Sequence, residues 1–389
     1  MIADATCATL RGKRLYFIHT NAAYLLGLRL PMLKALVDAG CEVTAFAPGL
    51  RPEQAAALQH HGITARMLSL KAARMNPLLD AVDFIRMVRL FRREHPDIVF
   101  ANNIKPVVYG MLAAALARVP ERHALVGGLG YAFTRTPDGD GGGARRLAGW
   151  IARLLYAAAF RAAHSVIFHN RDDLAYMAAR RICPAGRARV VPGSGVDITA
   201  YVPSEQSPRT SFVFVGRMLT DKGVRELMQA MRQLRRSHPQ VNCVLVGDAD
   251  HNPTAIGREE IEASVARGDV RWVGYIDDVR PYLHDASVFV LPSYREGLPR
   301  STLEAMACGL PVVTTNAPGC RETVIDGRNG RLVDVGDVDG LTKAMRDLAD
   351  DPALRAEMGR QSRLLVVERF SIQAVNSQII AVIGKRERA

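Results

Sequence analysis

Several features that would place the chain in a familiar class are missing. Its six cysteines are scattered without a C-x-x-C pair, which argues against a disulfide scaffold or a zinc site and favours a reduced, cytoplasmic protein. No uncharged apolar run approaches the ~20 residues that span a bilayer. The opening residues, MIADATCATLRGK, lack the basic and apolar regions of a signal peptide. We therefore expect a protein that is soluble or peripheral to a membrane.

Two motifs for binding phosphates are also missing. The first apolar run, YFI, is followed by HTNAAYLLGLR and not by G-x-G-x-x-G, which excludes a dinucleotide fingerprint there. The later run VFVGRMLTDKG lacks the G-x-x-x-x-G-K of a Walker loop. No Asp-x-Asp motif serves a nucleotide, since Asp248 and Asp250 in GDADHN are better explained as polar loop residues. We expect no metal.

Positive charge is plentiful but unevenly distributed. The chain has a formal net charge of +12, and residues 1–200 hold 26 Lys and Arg against 14 Asp and Glu, which accounts for all of it. Two explanations stay open: an ordinary solvated surface rich in arginine, or an N-terminal half that faces an anionic partner such as a membrane or a polyanion. Nucleic acid is the weaker choice, because aromatics make up only 6% of the chain and no recognised module is present.

The length and the pattern of apolar runs predict the fold. A chain of 389 residues is long enough for two domains of roughly 150–200 residues. Short apolar runs such as KRLYFIH, CEVTAFAP, DIVFAN and SVIFH are predicted strands that alternate with helical segments. The alternation restarts after the polar linker VPSEQSPRT, with further strands predicted in SFVFVG and VRWVGY. This pattern predicts an α/β protein with two tandem, Rossmann-like, doubly wound parallel sheets. We expect domains at 1–200 and 201–370, a final helix at 371–389, and a ligand in the cleft between the domains, at the carboxyl ends of the strands.

Candidate phosphate ligands follow the first strand of the second half. Gly216 and Arg217 come directly after that strand, and Lys222 stands at the start of the next helix. Two cations beside a helix N-terminus suit a diphosphate, and a charge-assisted hydrogen bond contributes about 1.5–3 kcal/mol. The alternative is a surface ion pair with Asp221 or Glu226.

Two glutamates flank a turn in the stretch REGLPRSTLEA. Glu296 follows the strand ASVFVLP, where ligands of parallel sheets bind. Glu304 completes an S-x-x-E pattern with Ser301, which predicts a capping box as its structural alternative. The helix start near 297–301 offers backbone N–H groups to an anion such as a phosphate. Carboxylates beside it would repel that phosphate unless they bind another group, and sugar hydroxyls are the natural partner.

At this point the residues resemble a known family. SYREGLPRSTLEAMACGLPVVTT is similar to the signature of retaining glycosyltransferases of family 4, which have the two-domain GT-B fold. The resemblance extends through VFVGRMLTDKG, VLVGDAD, VGYIDDV and PGSGVD, densely in the second half and loosely in the first. It implies a nucleotide-sugar donor, with UDP favoured, no cofactor, and transfer with retention by front-face attack.

The resemblance also implies roles for single residues. Glu296 would hold hydroxyls of the donor sugar, Glu304 the ribose, and Arg217 with Lys222 the diphosphate. Gly274–Ile276 would meet the base. The donor-binding set it implies is Gly216, Arg217, Lys222, Gly247, Tyr275, Ile276, Glu296, Gly297, Leu298, Pro299 and Glu304, with Glu296, Arg217 and Lys222 as the catalytic group.

One departure from the family points to the acceptor. Many members have a histidine after a middle strand of the N-terminal domain, where this chain reads ALVGGLGYAFT. The GLGYAFT form and the later IFHNRDD resemble a branch that extends undecaprenyl-diphosphate-linked sugars in surface glycan assembly. The resemblance places Asn21, Gly128 and Tyr131 on the acceptor side, in a membrane-facing N-terminal domain, with the final helix packing back on it. Asn170 and Asp173 in IFHNRDD have a simpler explanation, an N-x-x-D helix cap.

A lipid-linked acceptor agrees with the charge of the first half. Arg146, Trp150 and Arg153 recur at helical spacing in RRLAGWIARLLYAAAFR, as suits a membrane interface, although a core helix with solvated arginines is the alternative. We therefore expect a peripheral glycosyltransferase at the inner face of the plasma membrane, with a nucleotide sugar, a lipid-linked saccharide and an anionic membrane as partners. A nucleotide-sugar epimerase, a phosphorylase or a transferase for a soluble acceptor would be alternatives on the same fold.

Overall fold

The computed structural model describes residues 9–70, 77–129, 143–204, 210–249 and 254–385, with residues 77 and 143–149 described by their backbone alone. The chain divides into two compact units. Met1–Ser194 and Val375–Ala389 form the first, and Gly195–Ala374 form the second. Each unit is built on its own parallel sheet.

The described part of the first unit contains a sheet of seven parallel strands in the order β3-β2-β1-β4-β5-β6-β7. The order reverses at β1, whose neighbours are β2 and β4, and such a reversal opens a ligand crevice at the carboxyl ends of the strands. The strands are β1 (Arg14–Ile18), β2 (Glu42–Ala47), β3 (Thr64–Met67), β4 (Ile98–Asn102), β5 (Glu121–Val126), β6 (Ser165–Phe168) and β7 (Ala188–Val190).

Helices cover both faces of this sheet, because its central strands are apolar on both sides. One apolar cluster contains Phe91 and Phe160, and a second contains Phe17 and Leu33. The helices are α1 (Ala22–Leu26), α2 (Leu30–Asp38), α3 (Pro52–His60), α4 (Pro77–Glu94), α5 (Met111–Leu116), α6 (Gly143–Ala162) and α7 (Arg171–Ala179), with a π-helical turn at Pro106–Gly110.

The second unit contains a sheet of six parallel strands, among the residues that are described, in the order β10-β9-β8-β11-β12-β13. Its reversal lies at β8, whose neighbours are β9 and β11. The strands are β8 (Ser211–Val215), β9 (Asn242–Val246), β10 (Arg271–Trp272), β11 (Val288–Leu291), β12 (Val312–Thr315) and β13 (Gly330–Val333). A 3₁₀ turn (Thr220–Lys222) precedes the helices α8 (Val224–Ser237), α9 (Arg258–Ala266), α10 (Arg280–His284), α11 (Arg300–Ala307), α12 (Val338–Asp350) and α13 (Pro352–Arg369).

The last helix, α14 (Ile372–Ile383), contributes to the first unit's core. Val375, Ile379 and Ile383 are buried in the same cluster as Leu33. The Asn376 side-chain amide donates to the Pro31 carbonyl oxygen at 3.0 Å, which connects the helix to the start of α2.

The predicted fold class, two doubly wound parallel sheets, is confirmed. The strands expected in DIVFAN, SVIFH and SFVFVG all form, because each is a short run of apolar and branched residues. The strand predicted over VRWVGY shrinks to Arg271–Trp272, since Gly274 takes a left-handed φ of 71°. Strands β3 and β13 were not predicted, because TARM and GRLV contain no long apolar run and are the outermost strands of their described sheets.

Candidate active site

The loops that follow the central strands of the second sheet lie at one edge. Gly216 and Arg217 follow β8, Ser293 to Glu296 follow β11, and the loop after β12 contains Gly319. Because all the strands are parallel, their carboxyl ends share this edge, which is where ligands of such sheets bind.

Glu296 and Lys222 form the central contact. The Lys222 ammonium donates to Glu296 Oε1, and the Ser293 hydroxyl donates to the same oxygen at 2.9 Å. Their side chains are only 18% and 13% exposed, so water screens this pair less than a surface pair. The pair places one fixed cation and one fixed carboxylate side by side at the ligand edge of the sheet.

Backbone contacts hold the loop that carries Glu296. Its N–H donates to the Pro318 carbonyl at 2.9 Å, which joins this loop to the one after β12. Gly319, with a φ of +77°, lies so close that a Cβ there would be 2.3 Å from the Glu296 carbonyl oxygen. Only glycine fits this approach, so the position of Glu296 depends on a residue 23 positions away in the chain.

A second set of contacts fixes Lys222. The Tyr294 N–H donates to the Asp221 carbonyl at 2.9 Å, and the Tyr294 hydroxyl donates to Glu226 Oε1 at 2.7 Å. A Cβ on Gly223 would be 2.1 Å from the Pro292 carbonyl oxygen. The loop after β11 therefore packs closely on the turn that carries Lys222, which ends just before α8 begins.

Three glycines bring the neighbouring loops together. A Cβ on Gly247 would be 1.9 Å from the Gly216 carbonyl oxygen, and the Gly247 N–H donates to the Gly274 carbonyl at 2.8 Å. The Trp272 indole donates to the Gly247 carbonyl at 2.7 Å. These contacts line up the ends of β8, β9 and β10. Beyond them Tyr275 is 70% exposed, which leaves its ring available to a flat ligand.

Glu304 lies in a different environment from Glu296. It is 8% exposed, accepts from Arg300 Nε at 2.8 Å and is hydrogen-bonded to Tyr201. Burial raises the pKa of Glu304, and Arg300 and Tyr201 partly oppose that rise. The carboxylate is thus held by one cation four residues earlier and one phenol.

The predicted capping box at Ser301 is wrong. Helix α11 begins at Arg300 with Pro299 as its N-cap residue, and no side chain caps it. Glu304 therefore lies two positions beyond the one that reaches back to the cap, and its partners are Arg300 and Tyr201. The predicted N-x-x-D cap is confirmed, because Asn170 Oδ1 accepts from the Asp173 N–H at 2.7 Å.

The remaining donor-side candidates lie around the same edge. Arg217 is exposed, and its carbonyl accepts from the Leu219 N–H at 2.8 Å. Ile276 and Leu298 pack against the core of the second unit. Gly297 is half-buried and Pro299 is buried beside Arg300. The alternative of a surface ion pair with Asp221 or Glu226 does not hold for Lys222, because its carboxylate partner among the described residues is Glu296 and its side chain is only 18% exposed.

The acceptor-side candidates lie in the first unit. Asn21 is the N-cap of α1, where its side chain accepts from the Ala23 N–H at 2.9 Å, and it lines an open pocket with Gly49 and Arg51. Gly128 follows β5 at the carboxyl edge of the sheet. Tyr131 lies outside the described residues.

The membrane candidates lie on α6. Trp150 is 56% exposed and Arg153 is exposed as well. The side chain of Arg146 lies outside the described part of the structure. No helix in the described ranges is both long and apolar enough to span a bilayer.

A buried polar cluster in the first unit was not predicted from the sequence. His19 after β1 and His169 after β6 are 2% and 5% exposed, and Arg29 at the start of α2 is 4% exposed. Burial, and then the charge of Arg29, lowers the pKa of His19 to about 4 and that of His169 to about 3. The signal was present, since HTN and HN each follow an apolar strand directly. Within the described residues no group of three or more His, Cys, Asp and Glu is arranged to hold a metal.

Comparison with known proteins gives the family context. The model described as "Glycosyl transferases group 1" matches residues 209–351, and "Glycosyl transferase 4-like domain" matches residues 30–193. The Campylobacter jejuni N,N'-diacetylbacillosaminyl-diphospho-undecaprenol alpha-1,3-N-acetylgalactosaminyltransferase is 27% identical over 368 residues, which cover 90% of this chain and 93% of that protein. The Escherichia coli UDP-Gal:alpha-D-GlcNAc-diphosphoundecaprenol alpha-1,3-galactosyltransferase is 26% identical and aligns with 75% of this chain and 76% of its own length.

A solved structure with the same fold is that of Anabaena HepE in complex with UDP. It superposes with a TM-score of 0.73 over 94% of this chain and 98% of HepE, at 21% identity. This likeness supports the two-domain GT-B architecture.

Proposed function

This chain belongs to the group 1 glycosyltransferases, and we propose that it moves a hexose or an N-acetylhexosamine from a UDP-sugar to a saccharide carried on a polyprenyl diphosphate, with retention of configuration. The observation that carries the proposal is the Lys222–Glu296 pair at the carboxyl edge of the second sheet. The Campylobacter and Escherichia relatives, both named for transfer to undecaprenyl-diphosphate-linked sugars, support the acceptor. The UDP-Gal in the Escherichia name, and UDP bound to HepE, support the nucleotide.

Lys222 and Arg217 are the proposed ligands of the donor diphosphate. Lys222 already lies at the ligand edge with its ammonium held by Glu296, and Arg217 is exposed in the loop after β8. When the donor binds, the phosphate oxygens replace Glu296 as the partner of Lys222, and Glu296 becomes available to sugar hydroxyls. Because a phosphate replaces a carboxylate, the charge of Lys222 has an anionic partner both before and after the donor binds.

The two glutamates then take separate parts of the donor. Glu296 accepts hydrogen bonds from hydroxyls of the transferred sugar. Glu304 accepts from the ribose while Arg300 and Tyr201 hold its carboxylate in place. Tyr275 and Ile276, beyond the Gly247–Gly274 contact, face the base.

The chemical step needs no covalent intermediate with the protein. The acceptor hydroxyl oxygen forms a bond to the anomeric carbon on the face from which the phosphate oxygen departs. The bond from that carbon to the phosphate oxygen breaks with its electron pair on the phosphate, which takes the acceptor's proton. Lys222 and Arg217 stabilise the charge that develops on the diphosphate, the term that usually contributes most in such reactions.

The first unit offers a surface for the membrane that holds the acceptor. Helices α4 and α6 both pack on α5. Each exposes large apolar side chains, and both also expose arginines such as Arg86 and Arg153. The apolar set is Leu78, Leu79, Val82 and Ile85 on α4 and Trp150, Ile151, Leu154 and Leu155 on α6. Apolar residues flanked by arginines are typical of helices that lie in an anionic membrane interface.

Vesicle binding tests this surface. We expect Leu154→Glu to weaken cosedimentation with vesicles rich in anionic lipid, because it puts a carboxylate on the contact face. Leu364→Glu, at a residue of the second unit that is similarly exposed, is the matched control and should bind as the wild type does. Equal binding of both variants, or binding that added salt does not weaken, would contradict a membrane contact at α6.

The transfer itself is tested by nucleotide release. UDP- and GDP-sugars are presented with and without a polyprenyl-diphosphate-linked monosaccharide, to the wild type and to Glu296→Ala. We expect release that requires one UDP-sugar and the lipid acceptor and that collapses in the variant. Release with a soluble acceptor alone would remove the lipid from the proposal, and isomerised donor without release would indicate an epimerase.

A further inference from the structure

Arg29 is a buried, charged side chain of the first unit with few hydrogen-bond partners among the described residues. It is 4% exposed, at the start of α2, and its Nη1 donates to the Ser194 hydroxyl at 2.9 Å. Its Nε is buried without a hydrogen-bond partner, and no Asp or Glu of the described ranges pairs with it. A guanidinium has five N–H donors, and burial lowers the pKa of Arg29 to about 10. A cation left so poorly satisfied is costly unless an anion joins it.

The groups around Arg29 are suited to hydrogen bonding and carry no negative charge. His19 and His169 are both buried, and the charge of Arg29 helps to keep both rings neutral. His169 bonds to the Gly127 backbone, while its Nε2 is buried without a partner. A Cβ on Gly127 would be 3.4 Å from the His169 ring and 3.9 Å from Arg29 Nη2, so Gly127 lies between them.

These groups all follow strands at the carboxyl edge of the first sheet. His19 follows β1, Gly127 follows β5 and His169 follows β6, at the carboxyl edge of one parallel sheet. Between them β4 ends at Asn102, and the next residue, Asn103, contacts His19 Nε2 through its side-chain amide at 3.3 Å. Four neighbouring strands therefore end around one uncompensated arginine, at the edge where such sheets bind ligands.

We propose that Arg29, with His19 and His169 beside it, binds a phosphate-type oxyanion, and that this anion is the diphosphate of the lipid-linked acceptor. The proposal rests on the proposed function for the identity of the anion. Both substrates of that reaction carry a diphosphate, and Arg217 and Lys222 of the second unit account for the donor's. The acceptor's diphosphate is the one to which the proposed function assigns no cation. Arg29 offers it the planar, bidentate donor pair that phosphate oxygens prefer.

Binding of inorganic pyrophosphate to the whole protein tests the site without reference to transfer. Pyrophosphate would also bind at Arg217 and Lys222, so the titration uses the Arg217→Gln/Lys222→Met protein, in which the proposed donor site is disabled. We expect titration calorimetry to detect pyrophosphate binding to this protein, and its melting temperature to rise with pyrophosphate concentration. Adding Arg29→Gln should lower the affinity at least tenfold, while stability in phosphate-free buffer does not fall, since a buried uncompensated charge has been removed. No pyrophosphate response in the protein with Arg29 intact, or an undiminished response after Arg29→Gln is added, would overturn the site.

Arg122 provides the matched control. It is a half-buried arginine of the same sheet, but it lies near the start of β5 and donates to the carbonyls of Ala162 and Val119. Arg122→Gln should lower stability and leave the pyrophosphate response intact. If Arg29→Gln also lowers stability by as much, Arg29 is a structural arginine and the proposal fails.

Kinetics with both substrates then identify the source of the anion. We expect Arg29→Gln to raise KM for the lipid acceptor about tenfold or more, to leave KM for the nucleotide sugar unchanged, and Arg29→Lys to restore part of the loss. A raised KM for the nucleotide sugar alone would assign the site to the donor and overturn the acceptor assignment. If no sugar donor supports transfer while pyrophosphate still binds through Arg29, the proposed function has failed and the anion site stands.

Discussion

Replacing Glu296 by glutamine separates the two roles that its carboxylate has in this account. In the free protein Glu296 Oε1 accepts from Lys222 and Ser293, with side-chain exposures of 18% for Lys222 and 13% for Glu296. Loss of the charge should cost about 1–3 kcal/mol of unfolding free energy, between the value for an exposed pair and that for a fully buried one. In transfer, a charge-assisted hydrogen bond to a sugar hydroxyl contributes about 1.5–3 kcal/mol, so its loss should lower kcat/KM by about 10- to 150-fold.

The assay pairs urea unfolding with initial rates of transfer. The matched control is Glu260→Gln, because Glu260 accepts two bonds from Arg225, at 2.7 and 2.8 Å, in the same unit. That pair is about 40% exposed, so the variant should lose less than about 1 kcal/mol of stability and no transfer activity. The control shows what loss of an ordinary ion pair does to this fold.

One pattern of results would refute the reasoning about Glu296. If Glu296→Gln loses stability but keeps kcat/KM within about threefold of the wild type, its carboxylate serves only as the partner of Lys222. Lys222→Met further separates the ion-pair role from the role in transfer. It should lower kcat by about 10²–10³-fold, the range for removal of one group that stabilises developing charge.

Three further predictions concern the surrounding structure. Gly319→Ala should cost more than about 2 kcal/mol and lower transfer, because its φ is +77° and its Cβ would meet the Glu296 carbonyl oxygen at 2.3 Å. Gly327→Ala is the control: its φ is +75°, and its Cβ would make only an ordinary contact, 3.6 Å from Arg331 Nη1, so it should cost about 1 kcal/mol. Equal losses in urea unfolding would contradict the crowding at Gly319. Burial raises the pKa of the Glu304 carboxyl in the folded protein, so its ionisation disfavours folding. Glu304→Gln should therefore become more stable relative to the wild type as the pH rises from below 4.5, the ordinary pKa of the group. A difference in urea unfolding that does not change with pH would contradict this. Dialysis against EDTA should leave transfer unchanged within about twofold, as the family resemblance implies, and a loss that added Mg²⁺ restores would contradict it.

The sheets were predictable because their central strands are short, continuous apolar runs. Runs such as IVFAN and SVIF are buried on both faces, and alternation with helices then leaves few arrangements for a parallel sheet. Edge strands such as β3 were not predictable in this way. TARM is held by its pairing with β2 and exposes half of its residues, so its local sequence shows little of its structure.

The position of the candidate site in the fold could be predicted from the sequence, but its contacts could not. Glu296, Arg217 and Lys222 stand after apolar strands, and a parallel topology brings such positions to one edge. Two of these contacts depend on tertiary packing, which local patterns do not encode. Lys222 bonds to Glu296 across 74 positions of the chain, and Gly319 supports the loop that carries Glu296. Arg29 was missed for the same reason, since its burial follows from how α2 packs and not from the residues next to it.

The most direct test of the central claim is the identity of the product. The purified protein is incubated with a UDP-sugar and a polyprenyl-diphosphate-linked monosaccharide, and the lipid product is examined by mass spectrometry and NMR. We expect a lipid-linked disaccharide, heavier than the acceptor by one hexose or one N-acetylhexosamine, whose new linkage has the same anomeric configuration as the donor. An unchanged lipid would contradict the acceptor assignment, and a disaccharide of inverted configuration would contradict the front-face mechanism.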